Sequence, residues 1–123
     1  MTAAHEIQIR VRVTYDKDIA IGPGKIDLLD AIRHNGSISG AARNMKMSYR
    51  RAWLLVETMN QCFERPLVET ATGGKSGGGA RLTADGEAVL NAYTVMMREV
   101  DGVARKHLSA LLERIPLVEN SDD

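Results

Sequence analysis

Between positions 43 and 56 the chain carries Arg43, Lys46, Arg50 and Arg51 and no acidic side chain. Ser48 and Tyr49 lie among these cations. An Arg can present two parallel N–H donors to the O6/N7 edge of a guanine, and Lys and Arg hold phosphates as cations. The hydroxyls of Ser and Tyr donate to phosphate oxygens. Such chemistry needs a rigid support. A Ser that caps the start of a helix provides one, because it satisfies a free backbone N–H while the helix N-terminus favours an anion. A second stretch without acids runs over residues 70–84, with Lys75 and Arg81 as its cations and five glycines at positions 73, 74, 77, 78 and 79. Backbone without side chains, as at Gly73 and Gly74, can lie against a sugar–phosphate chain, with Lys75 and Ser76 meeting the phosphates. A solvated basic face beside a loose glycine linker would look the same at this level.

The glycine stretch also spells two enzyme motifs. Gly74-Lys75-Ser76 ends like a phosphate-binding P-loop, but the first glycine of that motif falls on Glu69, and further glycines stand where a helix should begin. Ser76 within Gly74-Lys75-Ser76-Gly77-Gly78 has the letters of a nucleophile elbow without its buried strand and following helix. An enzyme is therefore the least expected class.

The elements that must position the cations follow from spacing. Residues 7–13 alternate apolar and polar and predict a half-buried N-terminal strand. Gly22-Pro23-Gly24 reads as a breaker, after which Ile26, Leu29 and Ile32 set a helical period closed by Asn35-Gly36. Ser37 or Ser39 can cap a short helix running to about residue 45, Lys46-Met47 makes a turn, and Ser48 caps a longer helix to about residue 63. Its inner stripe is Ala52, Val56, Met59 and Phe63, with Leu55 alongside and Trp53 at the edge. Two helices joined in this way have helix-turn-helix spacing, in which the second helix enters the major groove by its N-terminal residues. Residues 67–70 and 80–82 predict a β-hairpin with a glycine tip, the wing of a winged helix. Thr83 caps a long helix over about residues 84–114, with Asp85 and Glu87 in its first turn. Tyr93, Met96, Val100 and Val103 step along that helix as an a/d seam, followed by Leu108 and Leu111. Part of the stripe must pack on the chain's own core. The far half of a helix about 45 Å long, at ~1.5 Å per residue, calls for a second copy of the chain.

Composition bounds the partners. The 123 residues include 16 basic and 16 acidic side chains, 44% hydrophobic and 26% charged residues, those of an ordinary globular protein. Length predicts one domain over residues 1–123, with a core at 25–83, the long helix, and an acidic tail at 115–123. Aromatics at 4% argue against a stacking platform for single-stranded nucleic acid. Cys62, the lone cysteine, excludes an internal disulfide and reads as a small packer; His5, His34 and His107 share no metal-ligand spacing, so no metal is expected. No long apolar run and no signal-peptide start predict a cytoplasmic chain without a membrane partner. Zero net charge is a balance between places, since Asp16, Asp18, Asp27, Asp30, the long helix and the tail hold the offsetting acids.

The run Asn35-Gly36-Ser37-Ile38-Ser39-Gly40-Ala41-Ala42, then Met47-Ser48-Tyr49-Arg50-Arg51-Ala52-Trp53, resembles the N-terminal DNA-binding domain of the molybdate-responsive ModE regulators. Met59-Asn60-Gln61, the run from Leu67 through Ala71-Thr72-Gly73-Gly74-Lys75 to Gly79, and Leu82-Thr83 are similar to the same family, within the wider LysR-like winged-helix group. The likeness covers roughly residues 25–93. It implies an α+β, mostly α fold: a winged helix-turn-helix with an N-terminal strand, a glycine-rich wing and a long dimerisation helix. It implies a homodimeric regulator of transcription that binds operator DNA, typically a repressor of molybdate uptake genes. Ser48, Tyr49, Arg50 and Arg51 match the start of the family's recognition helix, and Lys75 with its glycines matches the wing.

Full-length members continue into an oxyanion-binding module that nothing in this chain matches. No cofactor is therefore expected here, molybdate and tungstate included. A separate oxyanion-sensing protein is a partner such an arrangement allows. The competing expectation is a winged-helix module for protein–protein contacts, without operator specificity.

Overall fold

The computed structural model describes residues 2–3, 6–71, 78–116 and 118–119, the two terminal pairs by backbone alone. The chain divides into two compact units, residues 10–93 and residues 1–9 together with 94–123. Its elements in order are β1 (Thr2–Ala3), β2 (Val13–Tyr15), β3 (Asp18–Ile21), α1 (Pro23–Asn35), α2 (Ile38–Asn44), α3 (Tyr49–Cys62), β4 (Val68–Ala71), β5 (Gly79–Leu82), α4 (Ala84–Leu112) and β6 (Val118–Glu119). This is the winged helix with a long last helix that the sequence predicts.

The core of the larger unit lies where α1, α2 and α3 meet. Leu28, Leu29 and Ile32 of α1, Ala41 of α2, and Ala52, Val56 and Met59 of α3 are fully buried, joined by Leu67 and Val68 at the foot of the hairpin. Pro23 opens α1 at a position where its missing N–H costs nothing, so the expected breaker is in fact the helix start. Gly36 ends α1 in the left-handed region at φ 71°, its N–H bonded to the Ile32 carbonyl at 2.8 Å. The Gly36 carbonyl then accepts from Ala80 N–H at 2.9 Å, which ties the end of α1 to β5.

The strand expected over residues 7–13 is not formed; the ladder starts only at Val13. Residues 7–12 do alternate between half-buried and exposed, Ile7, Ile9 and Val11 being the half-buried set. Alternation reports which side faces inward, whereas a strand also needs a hydrogen-bonding neighbour. Pairing begins where β2 meets β3, antiparallel, with Tyr15 opposite Asp18, a bulge between Val13 and Thr14, and Asp16 in the left-handed region at the turn.

In the other unit Thr2 pairs with Glu119 and Ala3 with Val118, so two residues of the expected acidic tail form a short antiparallel ladder. Residues 94–112 of that unit continue α4. No helix among the described residues is long and apolar enough to cross a membrane.

Candidate nucleic-acid interface

α2 begins at its Ser37 cap, whose Oγ accepts Gly40 N–H at 2.9 Å. The turn to α3 closes with Met47 N–H on the Ala42 carbonyl at 3.0 Å, which forces Lys46 into the left-handed region at φ 56°. That position usually takes glycine, because an L side chain there costs roughly 1–2 kcal/mol. Here it takes an exposed cation. Ser48 caps α3, its Oγ accepting Arg51 N–H at 3.1 Å, and no acid occupies the first turn.

Arg43, Lys46, Ser48, Tyr49, Arg50 and Arg51 are all exposed to solvent. Among the described residues none of the four cations in this set has a carboxylate partner, while Arg33, Arg65, Arg81 and Arg105 all do. Helix geometry sets what else this face shows. At about 100° per residue, Leu54 points roughly 200° from Ala52, away from the core. Leu54 is 50% exposed, Tyr49 56% and Trp53 39%. Trp53 and Leu54, one turn beyond Tyr49 and Arg50, therefore belong to the outer face of α3. The sequence pattern sets Trp53 at the edge of the inner stripe and gives Leu54 no role.

The hairpin is fixed to α3 by a side chain that the spacing does not reveal. Asn60 Oδ1 accepts Leu67 N–H at 2.8 Å and Val68 N–H at 3.2 Å, and its Nδ2 donates to the Val68 carbonyl at 3.0 Å. At the other strand Thr83 N–H bonds to the Leu67 carbonyl at 2.9 Å. Gly86 of α4 lies so close that a Cβ there would sit 2.1 Å from that same oxygen. These contacts place the base of the hairpin beside α3. Tyr49 and Trp53 line one cleft of about 280 Å³ with Thr70, Ala71, Gly78 and Gly79.

β4 and β5 pair in the register Val68 to Leu82, Glu69 to Arg81, Thr70 to Ala80 and Ala71 to Gly79. Arg81 consequently stands opposite Glu69 and donates to its carboxylate at 2.8 Å. Its charge is offset within the hairpin, unlike those on α3. Gly73, Gly74, Lys75 and Ser76 lie outside the described residues.

On α4, Tyr93 is 8% exposed and its hydroxyl donates to the Val11 carbonyl at 2.7 Å. Tyr93 is thus committed to the core of its own unit and stands apart from the seam expected on this helix. Met96, Val100 and Leu108 are half-buried, Val103 is 59% exposed and Leu111 52%. Among the described residues no group of three His, Cys, Asp or Glu side chains could hold a metal ion.

Residues 24–87, just over half of the chain, match the family model of the bacterial regulatory helix-turn-helix protein, lysR family. The chain belongs to this family. The matched segment of this regulatory helix-turn-helix protein contains the whole α2–α3 pair and the hairpin. Among its relatives, the molybdenum-pterin-binding protein MopA of Rhodobacter capsulatus is 43% identical over 91 residues, covering 74% of this chain and 33% of that protein. The DNA-binding transcriptional dual regulator ModE of Escherichia coli K12 is 38% identical over 91 residues, 74% of this chain and 35% of its own length. These relatives bear out the resemblance to ModE regulators. The chain spans about a third of the length of such curated relatives. Among solved structures, the full-length LysR-type regulator LysG of Corynebacterium glutamicum with bound effector Arg is similar, with a TM-score of 0.55 at 25% identity over 78% of this chain and 31% of that one.

Proposed function

We propose that this chain binds duplex DNA as a homodimer and regulates transcription, with the start of α3 in the major groove. The observation that carries this reading is the capped, accessible N-terminal turn of α3 in a regulatory helix-turn-helix, with four cations free of carboxylate partners among the described residues. Arg50 projects to base edges, while Arg43 and Lys46 meet phosphates. Ser48 and Tyr49 donate to the same backbone. The hairpin tip, with Gly73, Gly74, Lys75 and Ser76, lies along the adjoining strand, where Arg81 adds only a charge already shared with Glu69.

A second copy of the chain joins through α4, along Met96, Val100, Val103, Leu108 and Leu111. Their spacing and the exposure of Val103 and Leu111 support that seam. A two-fold pair sets its recognition helices about one DNA turn apart, or a multiple of it. The molybdenum in the relatives' names belongs to proteins about twice as long as this chain. For this chain it supports a proposal: repression, in the cytoplasm, of genes that handle such oxyanions. These residues need no cofactor to bind DNA, and the oxyanion is sensed elsewhere.

The test is duplex binding against salt. Three phosphate contacts per protomer in a dimer give a log–log slope of about −5, a loss near a thousandfold between about 50 and 200 mM salt. Absence of duplex binding at low salt overturns the reading in favour of protein contacts.

A further inference from the structure

A second group of cations gathers beside the α2–α3 turn. Arg10, Arg12, Lys25 and Arg51 line an open cleft of about 410 Å³ in the larger unit, together with Met45, Met47 and Leu55 among its apolar walls. No acidic residue lines it. The volume falls within the roughly 300–1,000 Å³ of ligand sites. Arg10 and Arg12 lie outside the segment that matches the family model, and in the sequence they are only the polar half of an alternating run.

The chain itself orders these side chains. The aliphatic stem of Arg12 packs over Gly22, where an added Cβ would meet Arg12 Cγ at 3.2 Å. Lys25 Nζ donates to the Ile19 carbonyl across the cleft's edge. Arg10, Arg12 and Arg51 have no carboxylate partner among the described residues. Like charges held together without an acid repel one another, so the cleft is set to take an anion. Its apolar walls suit a ligand whose other face is carbon. A sugar–phosphate chain has both surfaces, and the cleft shares Arg51 and Met47 with the turn and first residues of α3.

We propose that this cleft holds the phosphate backbone of the DNA strand flanking the recognition helix. Arg10 and Arg12 extend the DNA-binding surface beyond the helix-turn-helix, and Arg51 serves as a phosphate clamp beside a base-reading Arg50. This rests on the DNA reading above.

The test compares wild type with Arg10→Ala/Arg12→Ala on duplexes about three helical turns long (roughly 30 base pairs) and of several sequences. The expected result is a salt slope shallower by about two, because each protomer neutralises about one phosphate fewer, with the same fold-loss on every sequence. Arg10→Lys/Arg12→Lys, which keeps the charge, should restore most of the slope. If wild type binds duplex DNA and the Ala variant keeps the wild-type slope, the cleft assignment is overturned. Titration with inorganic phosphate gives a second arm. Saturable phosphate binding that disappears in the Ala variant, with the duplex slope unchanged, would mark a free-anion site and also overturn the DNA assignment. A wild-type chain that binds no duplex at all sinks the DNA reading and this cleft with it.

Discussion

Asn60 joins the recognition helix to the wing, and its removal tests that connection quantitatively. Its side chain makes three hydrogen bonds to Leu67 and Val68, which are 0% and 2% exposed. In Asn60→Ala two backbone N–H groups and one carbonyl lose their partner in a nearly dry place. A net bond is worth about 1 kcal/mol and a stranded buried polar group costs roughly 1–3 kcal/mol, so with partial entry of water the loss is about 2–4 kcal/mol. With a urea m-value of ~1–3 kcal/mol/M for small proteins, the midpoint should fall by about 1–2 M at unchanged m. Trp53, on the same helix, provides a fluorescence signal for the unfolding. Asn60→Asp keeps the acceptor and loses one donor, so it should lose less than Ala. Amide exchange at Leu67 and Val68 should accelerate in both. An Asn60→Ala protein within about 0.5 kcal/mol of wild type would refute the reasoning, since a broken buried network cannot be that cheap.

Gly86→Ala should be strongly destabilising or unfolded, because its Cβ would lie 2.1 Å from the Leu67 carbonyl oxygen; a thermal melt close to wild type would contradict this. Lys46→Gly separates stability from binding. Glycine relieves the left-handed strain, offset by its own chain entropy, so stability should hold or rise by up to about 1 kcal/mol. The same variant should bind duplex DNA with a slope shallower by about one per protomer, measured beside the melt. Burial, then the neighbouring Asp30 charge, raises the Asp27 carboxyl above its ordinary 3.8. The folded state thus holds that proton more tightly than the unfolded one, and the associated stability is full below 3.8 and lost as pH rises through the raised value. Asp27→Asn should be at least as stable as wild type at neutral pH and should lack that gain on acidification, read from urea midpoints across the acid range.

What could be read from the sequence was local. Ser48, Thr83 and Gly36 mark helix ends because caps act within three or four residues. The basic, acid-free start of α3 was legible for the same reason. What escaped depends on distance along the chain. Asn60 reaches seven and eight residues ahead, which no helical or strand period encodes. The Glu69–Arg81 pair follows from hairpin register, fixed across a loop whose length alone does not set it. Gly86 carries no signal in the spacing, yet it is the place where α4 crosses the backbone at Leu67. Residues 7–12 had the alternation of a strand without a neighbour to pair with, and Arg10 and Arg12 gained meaning only from the α3 residues beside them. The a/d spacing at Tyr93 was real, yet its hydroxyl found Val11, eighty-two positions earlier.

The central claim, that α3 reads duplex DNA, is tested most directly by selecting bound sequences from a random duplex pool with wild type and with Arg50→Ala. Wild type should enrich a two-fold symmetric site with half-sites about one helical turn apart or a multiple of it. Arg50→Ala should relax one position per half-site, a loss of roughly 1–3 kcal/mol in discrimination there, with the remaining positions kept. An identical enriched site from both proteins would contradict the assignment of α3 as the recognition helix.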